Sequence, residues 1–233
     1  MRVGIDFENT MVDYDGLFYQ LALERKDVDF DPSISLTNPA PTKETLRDQL
    51  INNGLTHRWL ELQKIVYGSR VLEAMPYTGL IRFLALCKEH SVECVLVCHH
   101  SPRVFKNANF NEMLLAWLSK YGVSKYLHGQ SLTEKLYISS TQEDMAQLVS
   151  KLGCTHFVSN GMSLFGLEEF PAGVSRFLFD PKMRKGHSDL LHLSNTTLDK
   201  YPVTAVQSWG DLIQQLDGLW QQRWKTDKIS VSY

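Results

Sequence analysis

The chain has no run of apolar residues approaching the roughly 20 that span a bilayer, no block of like charge, and only four cysteines in 233 residues. Each shortage excludes a class of protein. Without an apolar span no transmembrane helix is expected. The N-terminus lacks a basic region followed by an apolar stretch and a small-residue cleavage site, so nothing marks it for secretion and the expected location is the cytoplasm. Lysine and arginine number 24 against 26 aspartates and glutamates, a formal net charge of −2. That balance builds no basic stripe, which argues against a dedicated nucleic-acid binder. Cys87, Cys94, Cys98 and Cys154 contain no Cys-x-x-Cys spacing and read as reduced core thiols rather than a disulfide or metal framework. Internal repeats and low-complexity segments are missing too.

What is present is a hydrophobic fraction of 43% in a chain long enough for one domain of ordinary size plus an inserted subdomain. Helical spacing of apolar residues predicts helices over 13–23, 43–52 (with Thr42 or Thr45 as cap), 57–67 and 80–89. Between the first two, 27–41 is polar and proline-rich and reads as a loop. After that the pattern alternates. Strands are expected at 92–97, 135–138, 155–158, 174–179 and 203–206, with helices at 111–120, 143–152 and 209–220. Strands alternating with helices imply a doubly wound parallel sheet, an α/β fold.

The most informative segment is Arg2-Val3-Gly4-Ile5-Asp6-Phe7-Glu8-Asn9-Thr10, an apolar strand that ends in two carboxylates one residue apart. Strand side chains alternate, so Asp6 and Glu8 share a side at the carboxyl end, where α/β folds place their sites. One carboxylate can attack while the other shuttles a proton.

This opening resembles the first motif of the haloacid dehalogenase-like (HAD) superfamily, Asp-x-Asp-x-Thr, with Glu8 in place of the second aspartate. Further phrases look like an uncharacterised bacterial branch: Trp59, Glu61, Gln63, Tyr67 and Gly68, then Pro76 and Gly79, Gly153-Cys154-Thr155-His156-Phe157, and Phe179-Asp180-Pro181. The resemblance implies a Rossmann-like core of residues 1–13 plus 77–233. A small helical cap, 14–76, would be inserted after strand one. It also implies Asp6 as nucleophile, Glu8 as general acid/base and Thr10 as a hydroxyl-bearing helper.

The remaining motifs depart from the family. Cys98 stands where a Ser or Thr is expected, with Ser101 three residues on, and His99 and His100 beside it either supply positive charge to an anion or are plain loop residues. The family lysine falls by spacing near Asp144, with Lys135 and Lys151 both misplaced. The metal-binding aspartates are replaced by Ser159 and Asn160, a pair similar to that of the metal-free dehalogenase branch. Glu168, Glu169 and Asp180 are the acids left to stand in for the missing metal ligands.

An aspartate attacking a phosphate dianion faces repulsion of roughly 4 kcal/mol per pair of unit charges 4 Å apart at an effective dielectric near 20. Mg²⁺, a lysine and a hydroxyl normally offset it. With these missing, the expectation is a degenerate phosphatase site, weakly active or non-catalytic, that binds a small anionic (phosphorylated) ligand or a protein partner. Two alternatives stay open. One is an active phosphatase or phosphotransferase using Asp6 in a rearranged site with help from His99, His100 or Lys43. The other is a metal-free, dehalogenase-type displacement at carbon. The expected cofactor is none or weakly bound Mg²⁺ at Asp6. Trp59, Tyr67 and Tyr77 would either line a cleft or fill the cap's own core. Trp209, Trp220 and Trp224 would either form a homodimer surface or pack on the sheet.

Overall fold

The computed structural model describes residues 1–27, 42–99, 110–127, 136–181 and 202–218. His100, Ser101, Lys135, Trp220, Trp224, the loop expected over 27–41 apart from Asp27, and the C-terminal tail lie outside them. Among the described residues, eight strands run in chain order: β1 (Arg2–Ile5), β2 (Val12–Asp13), β3 (Met75–Pro76), β4 (Glu93–His99), β5 (Leu136–Ser139), β6 (His156–Ser159), β7 (Ser175–Phe179) and β8 (Val203–Val206). Seven helices are α1 (Tyr14–Glu24), α2 (Lys43–Asn52), α3 (Thr56–Tyr67), α4 (Leu80–Glu89), α5 (Phe110–Lys120), α6 (Gln142–Lys151) and α7 (Met162–Phe165). Residues 209–218 form α8.

Six strands make one sheet in the order β5-β4-β1-β6-β7-β8, every neighbouring pair parallel. The expected α/β architecture is therefore present. The chain builds outward from β1 on one side and then returns to its other side, so the carboxyl end of β1 is the topological switch point where such sheets leave a crevice.

Alternation along the strands sorts side chains into two layers. Cys94, Leu96 and Cys98 of β4 face a core shared with Phe83 of α4, Trp117 of α5 and Trp209 of α8. Val95 and Val97 face the opposite layer with Met145 and Val149 of α6 and Phe165 of α7. Trp209 packs against Phe83 and Phe179, so of the two roles open to it the sheet-packing one is seen. Strand β4 runs two residues past the expected Val97, because its parallel register with β5 continues to His99↔Ser139. That extension carries Cys98 and His99 to the rim.

Helices α1, α2 and α3 pack on one another, and the chain leaves and rejoins the core through the antiparallel pair β2–β3, with Val12 opposite Pro76 and Asp13 opposite Met75. Thr42 caps α2 in a reciprocal box with Thr45. Trp59 stacks on Phe18, and Tyr67 sits edge-on to Tyr14 and Phe18. Trp117 ties this region to the core: its indole N–H donates to the Ala74 carbonyl at 2.8 Å while its ring meets Phe7 edge-on. Among the described residues no helix is long and apolar enough to cross a membrane.

Candidate active site

At the end of β1 the Asp6 N–H donates to the Val158 carbonyl at 2.9 Å, which keeps the segment in register with β6 for one residue beyond the strand. The chain then turns tightly. The Phe7 carbonyl accepts from the N–H groups of Thr10, Met11 and Val12, and Asn9 adopts a left-handed conformation with φ of 48°. An asparagine tolerates that region better than most residues. Phe7 is fully buried against Trp117, so Asp6 and Glu8, one residue to either side, turn to the open face.

There they line a cavity of about 140 Å³, together with Asn9, Lys43, His99, Gln142, Met145, Ser159, Asn160, Gly161 and Leu164. That space admits several waters or a small anion. Asp6 is held at both oxygens: Oδ1 accepts from the Phe7 N–H at 2.7 Å, and Oδ2 accepts from the Ser159 hydroxyl at 2.7 Å. Ser159 Oγ accepts in turn from the Gly161 N–H at 2.9 Å, which fixes the turn after β6. Burial raises the Asp6 carboxyl, the Ser159 hydrogen bond opposes the rise and the Glu8 charge adds to it, leaving the group at about 7. Near neutral pH, Asp6 is thus divided between acid and carboxylate. Removing the opposing hydrogen bond by Ser159→Ala is expected to push the Asp6 titration above 7. Carboxyl-region infrared spectroscopy on wild type and S159A would read it, and an unchanged midpoint would contradict the role given to Ser159.

Glu8 meets two groups from α2 and α3. Lys43 Nζ lies 3.5 Å from Glu8 Oε2 and 3.0 Å from the Tyr67 hydroxyl, and that hydroxyl donates to Glu8 Oε2 at 3.4 Å. Burial disfavours the Lys43 ammonium, but the Tyr67 oxygen and the Glu8 carboxylate outweigh it and hold Lys43 above its ordinary range. The Lys43 N–H donates to Oδ1 of the fully buried Asp15 at 3.0 Å, so the start of α2 is fixed over the site.

The other expected residues take different places. Thr10 is fully buried. Its hydroxyl donates to the Glu8 carbonyl at 3.3 Å and accepts from the Asn160 N–H at 2.9 Å, which joins the two loops. Cys98 is buried beneath the site, and burial, then the charges of Asp6 and Glu8, drive its thiol well upward. Neither Thr10 nor Cys98 lines the cavity. His99 does, with Nε2 3.1 Å from the Ser140 carbonyl. A carbonyl can only accept, so Nε2 carries a proton and donates it there.

Asp144 is not the α6 residue that faces the site: it is exposed, and Gln142 and Met145 line the cavity instead. Thr141 caps α6 by accepting from the Asp144 N–H at 3.0 Å, and from that start residues 142 and 145 share a face. Lys151 ends the same helix, and Glu168, Glu169 and Asp180 do not line the cavity.

Mg²⁺ asks for near-octahedral oxygen ligation, usually through one or two carboxylates. The donors here fit it poorly. Both Asp6 oxygens already accept hydrogen bonds, Glu8 faces an ammonium, and Asn160 offers only a neutral amide oxygen. Among the described residues no three His, Cys, Asp or Glu side chains are grouped as metal ligands would be.

No family model matches the chain, and no curated protein does. Solved structures do. A haloacid dehalogenase-like protein of unknown function from Agrobacterium tumefaciens aligns over 94% of this chain and 98% of its own, at 11% identity and a TM-score of 0.58. A haloacid dehalogenase-like hydrolase from Streptococcus pneumoniae aligns over 92% and 97%, at 11% identity and a TM-score of 0.57. A HAD family hydrolase from Deinococcus radiodurans, solved with bound phosphate and sodium, aligns over 94% and 96%, at 12% identity and a TM-score of 0.54. With its parallel sheet, its switch-point cleft and these neighbours, the chain has the haloacid dehalogenase-like fold.

Proposed function

We propose that this protein is a hydrolase-fold protein that binds a small anionic ligand at the β1 cleft and turns it over slowly or not at all, with the helices of 14–76 acting as a cap. One observation carries the reading. Of the residues that line the cavity from the core strands and helices, His99 alone can carry positive charge, and Ser159, Asn160, Gln142, Met145 and Leu164 are uncharged, so the core itself supplies no fixed cation to offset a dianion. Asp6 can still take part in binding. Protonated, it donates to an anion; ionised, it repels one. Anion binding should therefore weaken as pH rises through 7.

Titration calorimetry with inorganic phosphate at pH 6 and pH 8, beside an assay of p-nitrophenyl phosphate hydrolysis with Mg²⁺, tests both halves. Binding at pH 6 that fades by pH 8, with no Mg²⁺-dependent turnover above that of Asp6→Asn, is the expected result. Robust Mg²⁺-dependent turnover that disappears in D6N would overturn it.

A second reading is favoured by Lys43, which places a cation in the cavity that holds Asp6. In a metal-free displacement, Asp6 would attack carbon and expel a halide, and water would then cleave the ester and return the carboxylate. Halide release from small 2-haloacids, absent in D6N, would establish this reading over the first.

A further inference from the structure

Glu8 occupies the position where the HAD resemblance puts a proton carrier, yet its carboxylate is engaged by two groups from the insertion. Lys43 and Tyr67 come from different helices, α2 and α3, and meet at 3.0 Å directly against it. Both are fixed from behind. Tyr67 is almost fully buried, its ring edge-on to Tyr14 and Phe18, and the Lys43 ammonium lies 5.7 Å from that ring's centroid. The Lys43 backbone is held by Asp15, and the cap formed by Thr42 and Thr45 sets the first turn of α2. The ammonium is thus a placed charge, not a mobile surface one. The pair is also reachable, because the Lys43 and Glu8 side chains keep 18% and 29% of their exposure and both line the cavity beside Asp6. The Lys43–Glu8 separation of 3.5 Å is long for a charged hydrogen bond. The pairing leaves the ammonium able to take another acceptor.

Resting on the anion-binding reading above, we propose that Lys43 is the cation that receives the anionic end of the ligand, and that Glu8 is its internal counter-ion, displaced when the ligand arrives. The insertion then supplies the fixed positive charge that the core residues lining the cavity lack. Glu8 sets how tightly an anion binds by competing for Lys43. Tyr67 keeps the ammonium aimed into the cleft whichever acceptor it has.

The test is titration calorimetry with inorganic phosphate and with sulfate at pH 6, on wild type, Glu8→Gln, Lys43→Met and Lys43→Arg, with thermal melts to confirm folding. Removing the competing charge in E8Q is expected to tighten binding about five- to tenfold, the scale of a partly exposed ion pair. K43M is expected to abolish detectable binding, and K43R to keep part of it. Weaker or unchanged binding in folded E8Q would overturn the counter-ion role, because a merely structural or ligand-contacting Glu8 gives that result. Wild-type affinity in K43M would overturn the role of Lys43. Failure of every variant to bind either anion would instead overturn the anion-binding reading itself. K43R separates loss of charge from loss of fold should K43M melt early.

Discussion

Replacing Asp6 by Asn is expected to make the protein more stable at pH 8, although it removes a carboxylate from the candidate site. The carboxyl titrates near 4 when unfolded and at about 7 when folded, raised by burial, lowered by Ser159 and raised again by Glu8. Between those values the native state holds one proton more than the unfolded state, so stability falls as pH rises through the window and levels off above 7. At about 1.4 kcal/mol per unit, the carboxylate costs up to roughly 4 kcal/mol at pH 8. Asn keeps an oxygen for the Phe7 N–H, and the Ser159 hydroxyl can turn to accept from its amide. The melting temperature of D6N should exceed that of wild type by about 5 °C or more at pH 8, at roughly 2–4 °C per kcal/mol for a chain of this size. The gap should close toward pH 4. A difference that stays the same from pH 5 to pH 8 would show that Asp6 does not carry the shift. Such a group, expensive to keep ionised and positioned at the switch point, is what a retained binding or reactive carboxylate looks like in energetic terms.

The second large effect lies one turn of the pleat below. A methyl on Gly4 would stand 2.5 Å from Phe157 Cδ2 and 3.0 Å from Cys154 Sγ, inside the central strand of the sheet. β1 is hydrogen-bonded on both sides and cannot move away. Gly4→Ala is therefore expected to destabilise by about 3 kcal/mol, at the upper end for overpacking. Gly16→Ala provides the contrast. Nothing lies within 4 Å of a methyl there, and the site is on the exposed side of α1, where Ala gains up to about 1 kcal/mol over Gly. Urea unfolding of the two variants should move the midpoint in opposite directions. A second-site Phe157→Leu should recover part of the G4A loss. Equal, small losses in G4A and G16A would mean that the close approach of Gly4 to Phe157 does not govern packing here.

Much of the architecture was legible before any coordinates. Apolar runs such as Cys94–Val97, set between helices of 3.6-residue period, specify a parallel sheet because a strand covered on both faces has no polar side to show. The edges of α2 and α4 were readable because local chemistry sets them: Thr42 satisfies the first N–H groups of α2, and Gly79, at φ of 91°, takes a backbone conformation before α4 that other residues avoid. The alternation around Phe7 likewise turned Asp6 and Glu8 the same way, since Phe7 could only go into the core.

The site as a whole was less legible, because its parts are distant in the chain. Lys43 is 35 residues from Glu8 and Tyr67 is 59, and no local pattern marks either as facing a carboxylate. Their meeting depends on α2 and α3 packing on α1 and on each other, with buried Asp15 catching the Lys43 N–H. Helix phase decided Gln142 and Met145 over Asp144. The Thr141 cap carried that signal, since it sets where the first turn begins. Thr10 and Cys98 were chosen by motif spacing, yet each side chain is drawn inward, Thr10 by hydrogen bonds to two loops and Cys98 by the pleat of β4.

The sequence by itself determined the first strand, the Thr42 cap of α2 and the pair of carboxylates, because each follows from contacts within a few residues. Only the tertiary structure decided which charges face one another across the cleft, because that depends on how α1, α2 and α3 pack together beside the end of β1.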